Sequence, residues 1–128
     1  MKYLLDTHVI LWFLSDTDKL SKLVLSIILE PASYKFVSVI SAWELAIKVS
    51  LGKLTFEGGV TNFIQILSEN GFSLLPVKGK HLALLETLPF HHRDPFDRML
   101  IAAAAHENMN LITSDANIRL YDNVTYVW

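Results

Sequence analysis

The sequence predicts an α/β fold of three layers (α/β/α), in which helices cover both faces of a central twisted, mostly parallel sheet. Strand-like runs alternate with longer runs of helical spacing, the pattern of parallel strands joined by right-handed crossover helices. The first run, Lys2-Tyr3-Leu4-Leu5, has no polar alternation, as expected of a strand buried on both faces. At 128 residues the chain is expected to form a single domain, 1–128, with a substantial core.

Capping and breaking residues bound the elements of the first half. Ser21 is placed to cap a helix that Pro31 stops. Ser41 and Glu44 have capping-box spacing, so a helix is expected to begin at Ser41 and to end before Gly52. The predicted elements are a strand at 2–5, a helix at 9–14, a helix at 21–30, a strand at 35–39, a helix at 41–51 and a helix at 60–69.

In the second half, the pair Asp94-Pro95 is the strongest boundary signal. It predicts a helix start, with Asp at the N-cap and Pro in the first helical position. The predicted elements are a strand at 72–75, a helix at 80–88, a helix from 94 to about 108, a strand at 111–113, a helical turn at 116–120 and a strand at 124–127.

The chain is apolar for its size, with 52% hydrophobic residues and a mean hydropathy of +0.35. Its longest apolar runs, 9–14 and 99–105, fall far short of the ~20 residues that span a bilayer. No signal-peptide pattern is present, so we expect a cytoplasmic protein with no membrane segment. The excess apolar surface is expected to be buried in a homodimer or against a protein partner.

Cysteine content and charge narrow the chemistry. The chain has no cysteine, which excludes disulfides and Cys-ligated metals and fits an intracellular protein. Its net charge is −2, from 11 basic and 13 acidic residues. Proteins that hold nucleic acid by bulk electrostatics are usually basic. Any contact with nucleic acid is therefore expected to be local or bridged by cations.

Four acidic residues stand where predicted strands pass into helices. Asp6 follows the first predicted strand, and Glu44 is expected in the first helical turn after the second strand. Asp97 is expected in the first turn of the helix that Asp94 opens, and Asp115 follows the strand at 111–113. In a parallel sheet the strand ends share one edge, where such sheets bind ligands. The four carboxylates are therefore expected to converge.

Each acid taken singly has a simple structural explanation as a helix cap or a partner of the helix dipole. The set is harder to explain, because two carboxylates ~5 Å apart repel by roughly 3 kcal/mol at an effective dielectric near 20. Such a cluster needs protons or a cation. Oxygen ligands without cysteine favour Mg²⁺ or Mn²⁺, and such an ion could activate water for the hydrolysis of a phosphodiester.

With these residues placed, the chain resembles a PIN-domain ribonuclease, specifically a VapC-type toxin of a type II toxin–antitoxin pair. The resemblance covers nearly all 128 residues and rests on an ordered set of segments, each weak alone. These segments are LLDTH at 4–8, SAWELAIK at 41–48, GKL at 52–54, HRDPFDRMLIA at 92–102 and LITSD at 111–115.

The resemblance implies a PIN-like fold and an Mg²⁺- or Mn²⁺-dependent endoribonuclease. It also implies an RNA substrate, frequent homodimers and inhibition by a cognate antitoxin protein. By position, Asp6, Glu44 and Asp97 match the three core acids of the family, and Asp115 matches a fourth that is less uniform. All four are expected to be catalytic metal ligands. Asp94 is an additional acid near the site, which we interpret as the helix cap rather than as a ligand.

Three further residues are candidates for substrate binding. Lys48 lies one helical turn after Glu44 and is expected either to contact a substrate phosphate or to pair with Glu44. Arg98 has the same two alternatives, substrate contact or a structural ion pair. The hydroxyl of Thr113 is expected to bond a ligand carboxylate, water or the local backbone. Loop histidines, among them His92, are not needed by a metal mechanism.

Two other readings of the pattern remain open. In one, the chain is a catalytically silent interaction module, its acids are only helix caps, and its apolar surface binds a partner. In the other, it is a receiver-like or phosphatase domain with Asp6 as the nucleophile. The second reading requires a lysine late in the chain, and no lysine follows Lys80.

Overall fold

The computed structural model describes residues 1–128 and contains one sheet of five strands in the order β3-β2-β1-β4-β5. The strands are β1 (Lys2–Leu5), β2 (Tyr34–Ser38), β3 (Phe72–Leu75), β4 (Asn110–Ile112) and β5 (Tyr126–Val127). All four neighbouring pairs are parallel. The apolar first strand therefore lies at the centre of the sheet, as its lack of polar alternation predicts.

Six helices and two short 3₁₀ turns connect the strands. The helices are α1 (Thr7–Ser15), α2 (Lys22–Leu29), α3 (Val39–Ser50), α4 (Gly59–Glu69), α5 (Gly79–Thr87) and α6 (Pro95–Glu107), and the 3₁₀ turns are Thr17–Lys19 and Ile118–Leu120. None of the helices is both long enough and apolar enough to cross a membrane.

Consecutive side chains of the central strands point to opposite faces of the sheet, so the core has two halves. Leu5 of β1 and Ile112 of β4 join a cluster with side chains of α1, α2 and α4. Leu4 and Leu111, which point to the opposite face, join a second cluster dominated by α6. Helices thus cover both faces of the sheet, and the three-layer α/β/α prediction is confirmed.

One predicted boundary is wrong. Helix α3 begins at Val39 rather than at Ser41, directly after β2 and without an intervening loop. Ser38 is its N-cap, with an extended backbone and a hydroxyl that accepts a hydrogen bond from the N–H of Ile40 at 3.0 Å. Ser38 and Ser41 are three residues apart and both suited to capping, and Ser38 takes the role because it ends the strand. The other predicted elements are present, with small differences at their ends; the last strand is only two residues long.

Candidate active site

The carboxyl edge of the sheet brings together the ends of β1 and β4 and the start of α6. The N–H of Asp6 donates to the carbonyl of Ile112 at 3.0 Å, which locks the end of β1 against the end of β4. Thr113, which follows Ile112, is fully buried at this edge. The short strands therefore place Asp6 and Asp115 near each other, as predicted from the topology.

Asp6 is buried, with only 3% of its surface exposed. Although it occupies the N-cap position of α1, its side chain makes no capping hydrogen bond. Its Oδ2 instead accepts a hydrogen bond from Thr113 Oγ1 at 2.9 Å. Burial raises the pKa of Asp6 above its ordinary value, Thr113 and His8 oppose that rise, and Asp115 adds to it.

Asp97 has a stronger electrostatic signature. Burial raises its pKa to about 6, with further contributions from the negative charges of Asp94, Asp6 and Asp115, while a hydrogen bond from His92 acts in the opposite direction. Asp6, Asp97 and Asp115 therefore lie close enough to repel one another. We call these three residues the acid cluster.

Asp115 is held by the loop that follows β4. Its N–H donates to Thr113 Oγ1 at 3.1 Å, and its Oδ1 accepts from the N–H of Asn117 at 2.8 Å. Thr113 thus joins Asp6 and Asp115 through one hydroxyl group, which donates to the first and accepts from the second. This arrangement leaves Thr113 buried and fully bonded within the protein, so its position favours orienting Asp6 over contacting substrate.

Glu44 lies on α3 and is not among the charges that raise the pKa of Asp6 or Asp97. Because α3 begins at Val39, Glu44 lies in the second turn of the helix, and its expected place in the first turn is wrong. The hydroxyls of Ser41 and Thr7 are 2.7 Å apart, and this contact holds Ser41 beside the end of β1. Glu44, three residues after Ser41, lies on the same face of α3. Glu44 is 8% exposed and pairs with Lys48 Nζ at 3.0 Å.

The explanation of the acids as caps or dipole partners fails for Asp6 and Glu44 but stays open for Asp97, which lies in the first turn of α6. Asp6 makes no capping bond, and Glu44 is not in a first turn. The helix that contains Asp97 is capped by Asp94, whose Oδ1 accepts from the Asp97 N–H at 3.0 Å, so the interpretation of Asp94 as the cap is confirmed. Only Asp115 uses its carboxylate to bond a following N–H.

A divalent cation suits the chemistry of the acid cluster, although the side chains are not arranged around one. No three His, Asp or Glu side chains are positioned to hold a metal ion. Asp97 is turned towards His92 and Glu44 towards Lys48. The donors available are carboxylate oxygens, which Mg²⁺ and Mn²⁺ prefer, and their mutual repulsion is the kind that a bound cation relieves. The donor set therefore fits such an ion by its chemistry.

Arg98 is a structural residue in this fold. It is 5% exposed, and its guanidinium donates to the carbonyls of Pro89 and Leu88 and to the Tyr121 hydroxyl, at 2.7, 3.2 and 2.8 Å. Its Cζ also lies 4.0 Å from the centre of the Phe90 ring. These contacts tie the loop before α6 to the helix. Arg98 has no carboxylate partner, so the predicted structural ion pair is absent. Its predicted contact with substrate stays a prediction, since Arg98 also lines a groove together with Trp43 and Met99.

Two further residues contact the site: His92, which the sequence analysis set aside, and Tyr121, which the sequence does not single out. His92 Nε2 lies 3.1 Å from Asp97 Oδ2, and His92 Nδ1 lies 3.0 Å from the Tyr121 hydroxyl. The proximity of His92 to Asp97 in sequence was a usable signal. No local signal points to Tyr121, which lies 29 residues further along the chain and reaches the site only through the fold.

Comparison with known proteins identifies one family and a consistent set of similar folds. The family model that matches is the PIN domain, over residues 3–124. No curated protein matches the chain.

Three solved structures illustrate the fold similarity. VapBC2 from Rickettsia felis, bound to a DNA fragment from its promoter, has a TM-score of 0.77 and 19% identity, with 100% of this chain and 99% of that chain covered. DNA-bound VapBC from Salmonella typhimurium has a TM-score of 0.74 and 14% identity, with 99% and 97% covered. VapBC-1 from nontypeable Haemophilus influenzae has a TM-score of 0.68 and 20% identity, with 99% and 97% covered.

Proposed function

Because the chain belongs to the PIN-domain family, whose members are generally nucleases, we propose that it is an Mg²⁺- or Mn²⁺-dependent endoribonuclease and the toxin of a toxin–antitoxin pair. The observation that carries this proposal is the acid cluster. The charges of Asp6 and Asp115 contribute to raising the pKa of Asp97 to about 6, and the charge of Asp115 contributes to the raised pKa of Asp6. Perturbed acids gathered at a ligand-binding edge indicate a functional site.

The residues proposed to hold the ion are Asp6, Asp97 and Asp115, with Glu44 joining them directly or through water. Once bound, Mg²⁺ or Mn²⁺ supplies an activated water and polarises the phosphoryl oxygen, as required for phosphodiester hydrolysis. Thr113 orients Asp6 through its hydrogen bond to Oδ2. The nearby N-terminus of α6 adds a partial positive charge that suits an anionic RNA backbone.

Lys48 is the residue that we propose for contact with a substrate phosphate. Its side chain is 40% exposed while its Nζ pairs with Glu44. A flexible ammonium group at the rim of the site can exchange that partner for a phosphate at small cost, since exposed ion pairs contribute only ~0–1 kcal/mol. We therefore retain Lys48 as a substrate-binding residue.

The proposed antitoxin partner rests on the fold neighbours and on a groove beside the site. The neighbours described above were solved as VapBC complexes. A groove of about 400 Å³ lies between α3, α5 and the start of α6, and its lining includes Trp43, Leu85, Phe90 and Met99. Trp43 and Phe90 are 57% and 77% exposed. An apolar segment of an antitoxin would cover these side chains, and a homodimer is proposed to bury further apolar surface.

The proposal is tested by RNA cleavage with and without Asp6→Asn. Purified protein free of antitoxin is incubated with RNA and Mn²⁺, and product formation is followed on a gel. Wild-type protein should cleave, EDTA should abolish cleavage, and Asp6→Asn should reduce it by at least ~100-fold, since it removes a charged ligand. Asp18→Asn, a matched change at an exposed acid of the first 3₁₀ turn, should have no effect. Undiminished cleavage by Asp6→Asn would contradict the proposal.

A further inference from the structure

A chain of hydrogen bonds runs from a buried arginine to the acid cluster. Arg98 Nη1 donates to the Tyr121 hydroxyl at 2.8 Å, the hydroxyl lies 3.0 Å from His92 Nδ1, and His92 Nε2 lies 3.1 Å from Asp97 Oδ2. Arg98 and Tyr121 are buried, at 5% and 1% exposure, and the His92 side chain is 12% exposed. The chain of contacts therefore consists of side chains that the surrounding protein holds in place.

The donors and acceptors along this chain assign the tautomer of His92. A guanidinium only donates, so the Tyr121 oxygen accepts from Arg98 and its single proton is free for another partner. That proton has two acceptors within reach, His92 Nδ1 at 3.0 Å and the His92 carbonyl at 3.4 Å, and the shorter contact favours Nδ1. With Nδ1 as an acceptor, neutral His92 carries its proton on Nε2 and donates it to Asp97.

We infer that His92 is a positioning residue, oriented by Tyr121 and Arg98, which fixes the Asp97 carboxylate for metal binding. The inference rests on the proposed function, because it takes Asp97 as a metal ligand. The hydrogen bond engages Oδ2 and leaves Oδ1 without a hydrogen bond to the protein. Partners of this kind, which hold a ligand without touching the metal, typically change metal affinity or activity 10–100-fold when they are removed.

The sequence offers close controls for two members of this network, His92 and Tyr121. His91 precedes His92 and packs edge-on against the same Tyr121 ring, with ring centres 4.8 Å apart, but it makes no hydrogen bond to that hydroxyl. Tyr126 also places a hydroxyl near this segment, yet it donates only to the carbonyls of Ile118 and Tyr121. Removing these groups tests local packing without touching Asp97.

The experiment measures Mn²⁺ affinity by the loss of the free-ion EPR signal, without RNA. His92→Ala should weaken binding about 10–100-fold, Tyr121→Phe should weaken it less, and His92→Gln should restore part of it because an amide N–H can replace the Nε2 donor. His91→Ala and Tyr126→Phe should bind as the wild type does. Thermal unfolding of each variant reports whether it is folded.

A second readout does not depend on metal. In ¹⁵N spectra of the metal-free protein, His92 should show a proton on Nε2, and Tyr121→Phe should shift it towards a mixture of tautomers. Unchanged Mn²⁺ affinity in His92→Ala, equal losses in the His91 and His92 variants, or a His92 proton on Nδ1 would each overturn the positioning role while leaving the proposed function intact. Wild-type protein that binds no Mn²⁺ would instead overturn the proposed metal site and the positioning role that depends on it.

Discussion

Among single residues, Asp97 lies in an environment that favours its protonated form. Its carboxylate is partly buried, faces three other acids and accepts a hydrogen bond from one histidine. Burial and like charge both favour the protonated form, which explains why its pKa is raised to about 6. In the absence of a cation, this carboxylate therefore destabilises the fold at neutral pH.

The first prediction concerns the pH dependence of stability without metal. Because the pKa of Asp97 is about 6 when folded and near 3.8 when unfolded, its favourable contribution is complete below pH 3.8 and is lost as the pH rises through about 6. Asp97→Asn should therefore raise the free energy of unfolding at pH 7.5, by about 1 kcal/mol after allowance for solvent screening. The gain should vanish below pH 4.

Urea unfolding in EDTA at several pH values measures this difference. The matched control is Asp16→Asn, at an exposed acid whose carboxylate caps the first 3₁₀ turn, which should show no comparable pH dependence. Asp97→Asn that is no more stable than wild type at pH 7.5 would contradict the assignment of repulsion within the acid cluster.

Residues such as Asp6 and Asp115 could be placed from sequence, because a parallel strand fixes where its next residue lies. The partners of these acids could not be placed in the same way. The hydroxyl of Thr113 donates a hydrogen bond to Asp6, although the two residues are 107 positions apart in the sequence. The contact between Tyr121 and His92 likewise depends on the packing of the second 3₁₀ turn against the loop before α6. Contacts between side chains so far apart in the sequence depend on the tertiary structure, and they produce no periodic pattern in the sequence.

Among the secondary-structure elements, α6 combines two opposing effects in its first turn. Asp94 caps the helix by accepting from the Asp97 N–H, and Pro95 occupies the first helical position. The same Asp94 charge raises the pKa of Asp97. The cap thus stabilises the helix while its charge opposes the ionisation of a proposed metal ligand.

The second prediction separates these effects with two substitutions at one position. Asp94→Ala removes both the cap and the charge and should cost ~0.5–2 kcal/mol of stability. Asp94→Asn keeps a capping oxygen and removes only the charge, so it should be close to neutral in stability. Both should lower the pKa of Asp97, which NMR titration of its carboxyl carbon would measure. An unchanged pKa in both variants would show that Asp94 does not influence the site.

Helix α3 shows where local signals mislead. The sequence contains two serines suited to capping, and the capping-box spacing of Ser41 and Glu44 favours the wrong one. The structure uses Ser38 as the cap and buries Ser41 against Thr7 instead. The boundary depends on where β2 stops pairing with its neighbours, and that is settled by the sheet rather than by the helix.

At the scale of the whole molecule, the site is a consequence of sheet order. Strand β1 lies between β2 and β4, so the segments that follow these three strands begin at one edge. The two apolar clusters on either side of the sheet hold α3 and α6 beside that edge, where Trp43 and Phe96 meet with ring centres 5.2 Å apart. Acids that are up to 109 positions apart, Asp6 and Asp115, thereby come under one another's electrostatic influence.

The most direct test of this account is a crystal structure grown with Mn²⁺, with the metal located in an anomalous difference map. We predict one or more peaks at bonding distance from oxygens of Asp6, Asp97 and Asp115, with His92 still bonded to Asp97. An ion bound elsewhere, or these carboxylates left without metal at saturating Mn²⁺, would contradict the claim that the acid cluster is a divalent-cation site.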